Sequence, residues 1–145
     1  MADLLELGRS ECEGLLRLGV VGRVAIATHT GPHILPLNYA VSRGDIVVCT
    51  TAYSVLGTYG RDSLVAFEVD HFEHPRHQGW SVVVRGRASA VENPDELSEL
   101  VGTLPRPWAS GSRSLYLRIP LTEVTGRRLG DGWDLEATLP VRRVM

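Results

Sequence analysis

Residues 22–41 read GRVAIATHTGPHILPLNYAV. The first part, GRVAIATHT, alternates β-forming residues and reads as a strand. Thr30-Gly31-Pro32 reads as a turn, and HILPLNYAV as a second strand. Pro36 sits inside that second strand. It has no N–H to give to a ladder, so the strand should be an edge, or carry an irregularity, at that point. SRGD then reads as another turn and IVVCTT as a third strand, which makes a β-meander.

Further along, LVAFEVDHF reads as a fourth strand, EHPRHQG as a loop, and WSVVVRGRASAV as a long fifth strand. SLYLRIPLTEVTGRRL supplies one or two more. SVLGTYG has room for two helical turns at most. Asn93 with Glu96 has capping-box spacing and opens a short helix through Leu100 that Gly102 can end. Ser10 with Glu13 repeats the pattern before an apolar stripe of Cys12, Leu15, Leu16 and Leu18, with Gly19 as the stop. The expected architecture is mainly β: a six-stranded split β-barrel with small peripheral helices. It is expected to be a single domain, with a helical lead at 10–19, the barrel over about 20–128 and a loosely ordered tail at 129–145.

Bulk properties narrow the function classes. The 145 residues carry a net charge of -2, are 43% hydrophobic and 22% charged, and contain no lysine. No broad basic field exists to hold nucleic acid. No run reaches the roughly 18 to 20 apolar residues of a membrane span. MADLLELGRSE lacks the basic start and apolar stretch of a signal peptide. Cys12 and Cys49 have no metal-type spacing, so a reducing cytoplasm is expected. Any phosphate bound by this chain must be held by Arg, hydroxyls or backbone N–H groups.

The ordered set GRVAIATHTGPHILPLNYAV, DIVVCTTAYSVL, LVAFEVD and GWSVVVRGRA resembles the pyridoxamine 5'-phosphate oxidase-like family, the FMN-binding split barrels. The likeness covers roughly Gly22 to Val91, and more loosely the PW segment and TGRR near the end. It implies a homodimer with FMN in a cleft between subunits. By the same resemblance, Pro36, Leu37, Asn38 and Tyr39 run beside the flavin ring. Cys49, Thr50 and Thr51 meet the ribityl chain and phosphate, and Ser54, followed by Val55, opens the phosphate-binding helix. Trp80 and Ser81 meet the ring edge, with Gly79 allowing close approach.

The chain departs from the family pattern just after Ser54. Val55 and Leu56 stand where a Lys or Arg commonly pairs with the phosphate. Losing that contact is expected to weaken FMN by roughly 1.5 to 3 kcal/mol, with Arg61 as the candidate replacement. Two function classes follow. One is a flavin-dependent oxidoreductase acting on a small molecule, such as a pyridoxal-type vitamer or a nitroaromatic, with a deazaflavin as alternative cofactor or cosubstrate. The other is a non-catalytic dimer that binds flavin, deazaflavin or haem.

The remaining candidates read more simply. His71, His74 and His77 flank a Pro and lack a Cys, so they read as a solvated loop before a metal site; His71 is the first candidate if haem binds. Glu68 and Asp70 alternate with apolar residues and read as exposed or as partner contacts. Arg85 and Arg87 share a strand face, which suits either solvent or an anion. Trp108 reads as a lid, a dimer contact or a plug over the barrel mouth.

Overall fold

The computed structural model describes residues 4–104 and 114–130. Trp108 and the segment after Gly130 lie outside the described residues. The elements run β1 (Leu4–Glu6), α1 (Arg9–Leu18), β2 (Val21–Thr28), β3 (Gly31–Ser42) and β4 (Asp45–Thr51). Next come a π-helical turn (Leu56–Gly60), β5 (Leu64–Glu73), β6 (Gln78–Arg87), β7 (Ser89–Ala90), α2 (Pro94–Thr103), β8 (Ser114–Ile119) and β9 (Glu123–Leu129). The strands form an antiparallel order β1-β9-β6-β5-β2-β3-β4-β8-β7. The fold is the expected mainly β split barrel, with nine strands among the described residues instead of six.

The extra strands have local causes. β1 is three residues long and pairs with Leu129–Arg127 of β9, so only its partner makes it a strand. The long fifth strand breaks at Ala88. Its last residues, Ser89 and Ala90, join β8 in the second half of the barrel. Ala88 is buried, and its N–H and C=O bond Ser63 O and Asp62 N at 2.9 and 2.8 Å.

Three boundaries are corrected. The first turn is His29-Thr30: Thr28 pairs with Gly31, which begins β3 at φ +114°, a backbone region that favours glycine. α1 begins at Arg9, not after Ser10. The Gly8 N–H reaches Glu11 Oε1 at 3.4 Å, and Glu13 instead pairs with Arg9 at 3.0 Å. α2 opens as expected, with Asn93 Oδ1 accepting from the Asp95 and Glu96 N–H groups at 3.0 Å, but runs one residue past Gly102.

Alternation places the core. Val24 and Ile26 of β2, Phe67 and Val69 of β5, and Trp80, Val82 and Val84 of β6 point inward against Leu15 and Leu16 of α1. β4 is apolar on both faces. Ile46 and Val48 join this interior, while Val47 packs outward with Tyr116 of β8 under Leu100 and Leu104 at the end of α2. A strand buried on both sides loses the polar half of its alternation, which is why IVVC is a continuous apolar run. No helix among the described residues is long and apolar enough to cross a membrane.

Candidate functional site

The two halves of the barrel share β3. From Gly31 to Asn38 it pairs with β2, and from Tyr39 to Ser42 with β4. Beyond the Tyr39–Val48 pair the β3–β4 ladder stops, although β4 continues to Thr51 along β8. The barrel is therefore open between two lips, β3 residues 31–38 on one side and Cys49, Thr50 and Thr51 on the other. Pro36 lies on the open edge, in register with Arg23 of β2, so its missing N–H leaves no gap in a paired ladder. Leu35 and Leu37 pack on the core, and Ile34, Pro36 and Asn38 are exposed.

The second lip turns into a corner of hydroxyls. Ser54 Oγ lies 2.6 Å from Thr50 Oγ1, donates to Thr51 O at 2.8 Å and accepts the Gly57 N–H at 2.9 Å. The Thr58 N–H bonds Ser54 O at 2.9 Å. Ser54 thus ties the end of β4 to the first turn of the π-helical segment, as a capping residue does. This closeness requires Gly57: a Cβ there would stand 2.1 Å from Thr51 O and 2.9 Å from Ala52 O. Two hydroxyls at the start of a helical turn suit a phosphoryl group.

The far end of the opening is tied by a pair that sequence reasoning missed. Tyr59 Oη lies 2.6 Å from His29 Nδ1, and the ring centroids are 5.6 Å apart with the planes tilted by 36°. The helical turn thereby bridges β4 and the tip of the β2–β3 hairpin. The two residues are 30 apart in sequence, and only the tertiary fold pairs them.

Comparison with known proteins shows the family of the chain. Residues 8–128 match the family model described as pyridoxamine 5'-phosphate oxidase. The chain belongs to this family. It is 31% identical over 132 residues to an uncharacterized protein of Mycobacterium tuberculosis, covering 88% of this chain and 86% of the other. The structure of an FAD binding protein from Mycobacterium smegmatis superposes with a TM-score of 0.73 at 31% identity, covering 86% of this chain and 98% of that one. A putative pyridoxamine 5'-phosphate oxidase from Corynebacterium glutamicum gives a TM-score of 0.72 at 30% identity, over 88% and 99% of the chains.

Two side chains that the family resemblance assigns to the cofactor, those of Tyr39 and Trp80, are buried in the barrel. Tyr39 is 1% exposed; its Oη donates to Leu16 O at 2.5 Å and its ring meets Phe67 edge-on. Trp80 is 1% exposed inside the barrel, with its indole Nε1 buried and unpartnered among the described residues. Both side chains fill the core. Ser81 points to the outer face, as alternation requires. Within the chain it is not beside Pro36–Tyr39: β5 and β2 stand between β6 and β3, a separation of roughly 14 Å at ~4.8 Å per strand. Arg61 follows the helical turn at the end away from Ser54 and lies 4.0 Å from the exposed Asp62.

Gly79 is also not open to a ligand. A Cβ there would meet the Phe72 ring at 2.1 Å and His71 O at 2.8 Å. Gly79→Val is predicted to destabilise the protein by about 1 to 3 kcal/mol through overpacking. A thermal melt checks this, and an unchanged midpoint contradicts it.

Charges on the outer face are partly matched. Arg23 reaches Glu68 at 3.4 Å and Asp70 at 3.2 Å. Burial, then the neighbouring Asp70 charge, pushes the Glu68 carboxyl above its usual range despite Arg23. His71 stands opposite Trp80, 3.9 Å from Glu73, and His77 sits in the β5–β6 turn at φ +48°. Cys12 is buried against Gly126, and burial raises its thiol pKa. That is the environment of an inert core thiol.

Proposed function

We propose that the chain binds a flavin in the opening between β3 and β4 and uses it as an oxidoreductase on a small molecule. The observation that carries this reading is the broken β3–β4 ladder ending in the Thr50–Ser54–Gly57 corner. Pro36, Leu37 and Asn38 supply a backbone edge for a flat ring. Cys49, Thr50 and Thr51 line the opposite lip, and Ser54, with Val55 behind it, receives the phosphate end. The hydroxyls of Thr50 and Ser54 and the Gly57 and Thr58 N–H groups bond within the corner, so a phosphoryl group would be held by the two hydroxyls turning toward it. FMN is the cofactor we favour, and FAD is supported by the relative that binds it. The flavin, when bound, supplies the hydride or electron chemistry. The chain's part is to orient the ring, cap its phosphate and keep one face open to substrate.

The assembly we propose is a homodimer, in the cytoplasm. Ile34 and Leu64 are 68% and 63% exposed on the outer face of β3 and β5, either side of β2 near Ala25, with Arg23, Glu68 and Asp70 between them and the exposed Val21. An apolar patch of this kind marks an association surface. Ile34→Asp is expected to convert a dimer to a monomer in sedimentation, and a monomeric parent removes the proposal.

A second reading, a non-catalytic or deazaflavin-binding dimer, is favoured by the uncharged corner. The two readings separate on the absorbance of freshly purified protein and on reduction of the bound ligand in the presence of a nitroaromatic or pyridoxal-type substrate. For the site itself, Ser54→Ala should weaken flavin about 10- to 100-fold, as expected when a charge-assisted hydrogen bond is lost, and Val55→Lys should tighten it. Quenching of flavin fluorescence reads both. If neither variant changes the affinity, the phosphate does not lie at this corner.

A further inference from the structure

α1 buries one face and leaves the other open. Cys12, Leu15 and Leu16 are in the core, while Ser10, Glu11, Arg17 and Leu18 are exposed and Gly14 half-exposed between them. A groove of about 440 Å³ runs along this ridge, between Gly14 and Leu18 of α1 and Leu7 and Arg128. Leu18 is an exposed apolar side chain at one end of it.

Gly14 stands at the middle of the ridge, in regular helix. Glycine is the weakest helix former after proline. A Cβ at Gly14 would meet nothing within 4 Å, so no described neighbour requires the missing side chain. The charges on either side of it are balanced. Glu11 precedes Gly14 by three residues and Arg17 follows it by three, each ~4.5 Å along the axis. Neither has an ion pair among the described residues: Glu11 accepts the Gly8 N–H at 3.4 Å, and Arg17 has no partner.

We propose that this ridge is an interface between two copies of the chain, with their α1 helices packed antiparallel across Gly14. A two-fold axis at Gly14 brings each Glu11 to the partner's Arg17, which makes two equivalent ion pairs from one patch, as an isologous contact requires. It also points each Leu18 toward the Leu7 end of the facing groove. A parallel pairing would set like charges against each other. With no side chain at the crossing, the two backbones can approach closer than the usual 8–10 Å between helix axes. One ten-residue helix per chain is a small contact, so this association is weak and forms at higher protein concentration than the dimer proposed for the face of β3 and β5. It does not rest on the flavin reading, because α1 and the β3–β4 opening are different surfaces.

Sedimentation equilibrium of the full chain over a rising concentration series tests it. A reversible doubling of the mass present at low concentration is expected. Glu11→Arg and Arg17→Glu should each weaken that step about 10-fold, because each turns two attractions into two repulsions. The two substitutions together should restore it. Gly14→Leu should weaken it as well, without lowering the melting midpoint, since its side chain enters open space. Absence of the doubling overturns the proposal. So does a double reversal that associates no better than the single ones, which would mean that these charges do not meet across an axis. A lowered midpoint for Gly14→Leu also overturns it, because another part of the same chain would then fill the groove.

Discussion

Glu96→Ala is expected to destabilise the protein by about 3 to 5 kcal/mol, the range for removing one partner of a buried ion pair. Glu96 is 3% exposed, on the first turn of α2, where its spacing from Asn93 makes it a capping residue by sequence. It turns inward instead. It forms a salt bridge with Arg118 of β8, accepts from Ser42 Oγ at 2.7 Å and lies 3.7 Å from Arg43. Arg118 also donates to Ser42 O at 3.1 Å and to Asp45 Oδ2 at 3.3 Å. This cluster fastens α2 to the β3–β4 turn and to β8. Truncating Glu96 leaves a half-buried guanidinium with Asp45 as its one remaining carboxylate. Against a total stability of about 5 to 15 kcal/mol for a domain, the loss is large. Urea unfolding followed by circular dichroism measures it, and a midpoint equal to the parent's would refute the assignment.

The same pair sets a pH dependence. The Arg118 hydrogen bond, with further help from Ser42 and the nearby positive charges, holds the Glu96 carboxyl below its usual range in spite of burial. A depressed folded pKa stabilises the protein fully above the unfolded value, about 4.3 for Glu. That contribution is lost as pH falls through the lower folded value. Parent and Glu96→Ala stabilities should therefore differ most near neutrality and draw together in acid.

Gly57→Ala is expected to cost about 1 to 3 kcal/mol of stability by overpacking and to abolish flavin uptake. The added Cβ would stand 2.1 Å from Thr51 O and 2.9 Å from Ala52 O. Both are backbone atoms at the end of β4 and cannot rotate aside as a side chain would. The helical turn must move away from β4, and the Ser54 Oγ···H–N Gly57 bond of 2.9 Å goes with it. Replacing Gly by Ala ordinarily stabilises by about 0.4 to 1 kcal/mol through the unfolded chain, which is smaller than the clash. Thermal melts and flavin titration read the two consequences separately. A variant that melts and binds as the parent does would show that this approach is not needed.

Much of the fold was legible in the sequence because strands, turns and caps leave local marks. Alternation in GRVAIATHT and WSVVVRG identified β2 and β6, Asn93 marked the start of α2, and Pro36 marked an edge. The ordered motifs identified the family. Periodicity alone, however, says that Trp80 and Ser81 oppose each other and leaves open which of them faces the interior; the packing of β6 against β5 and α1 decided that Trp80 is core. The capping pattern at Asn93 was read correctly while Glu96 was claimed by Arg118, 22 residues away, because a buried charge follows its counter-ion before the local motif. The switch of β3 between two partners at Asn38–Tyr39, the Tyr59–His29 tie and the closeness of Gly57 to Thr51 O all depend on which segments end side by side. Local sequence determined the strands and their alternation. Only the tertiary structure decided where the barrel opens and which hydroxyls meet there, because those are contacts between segments whose separation along the chain carries no periodic signal.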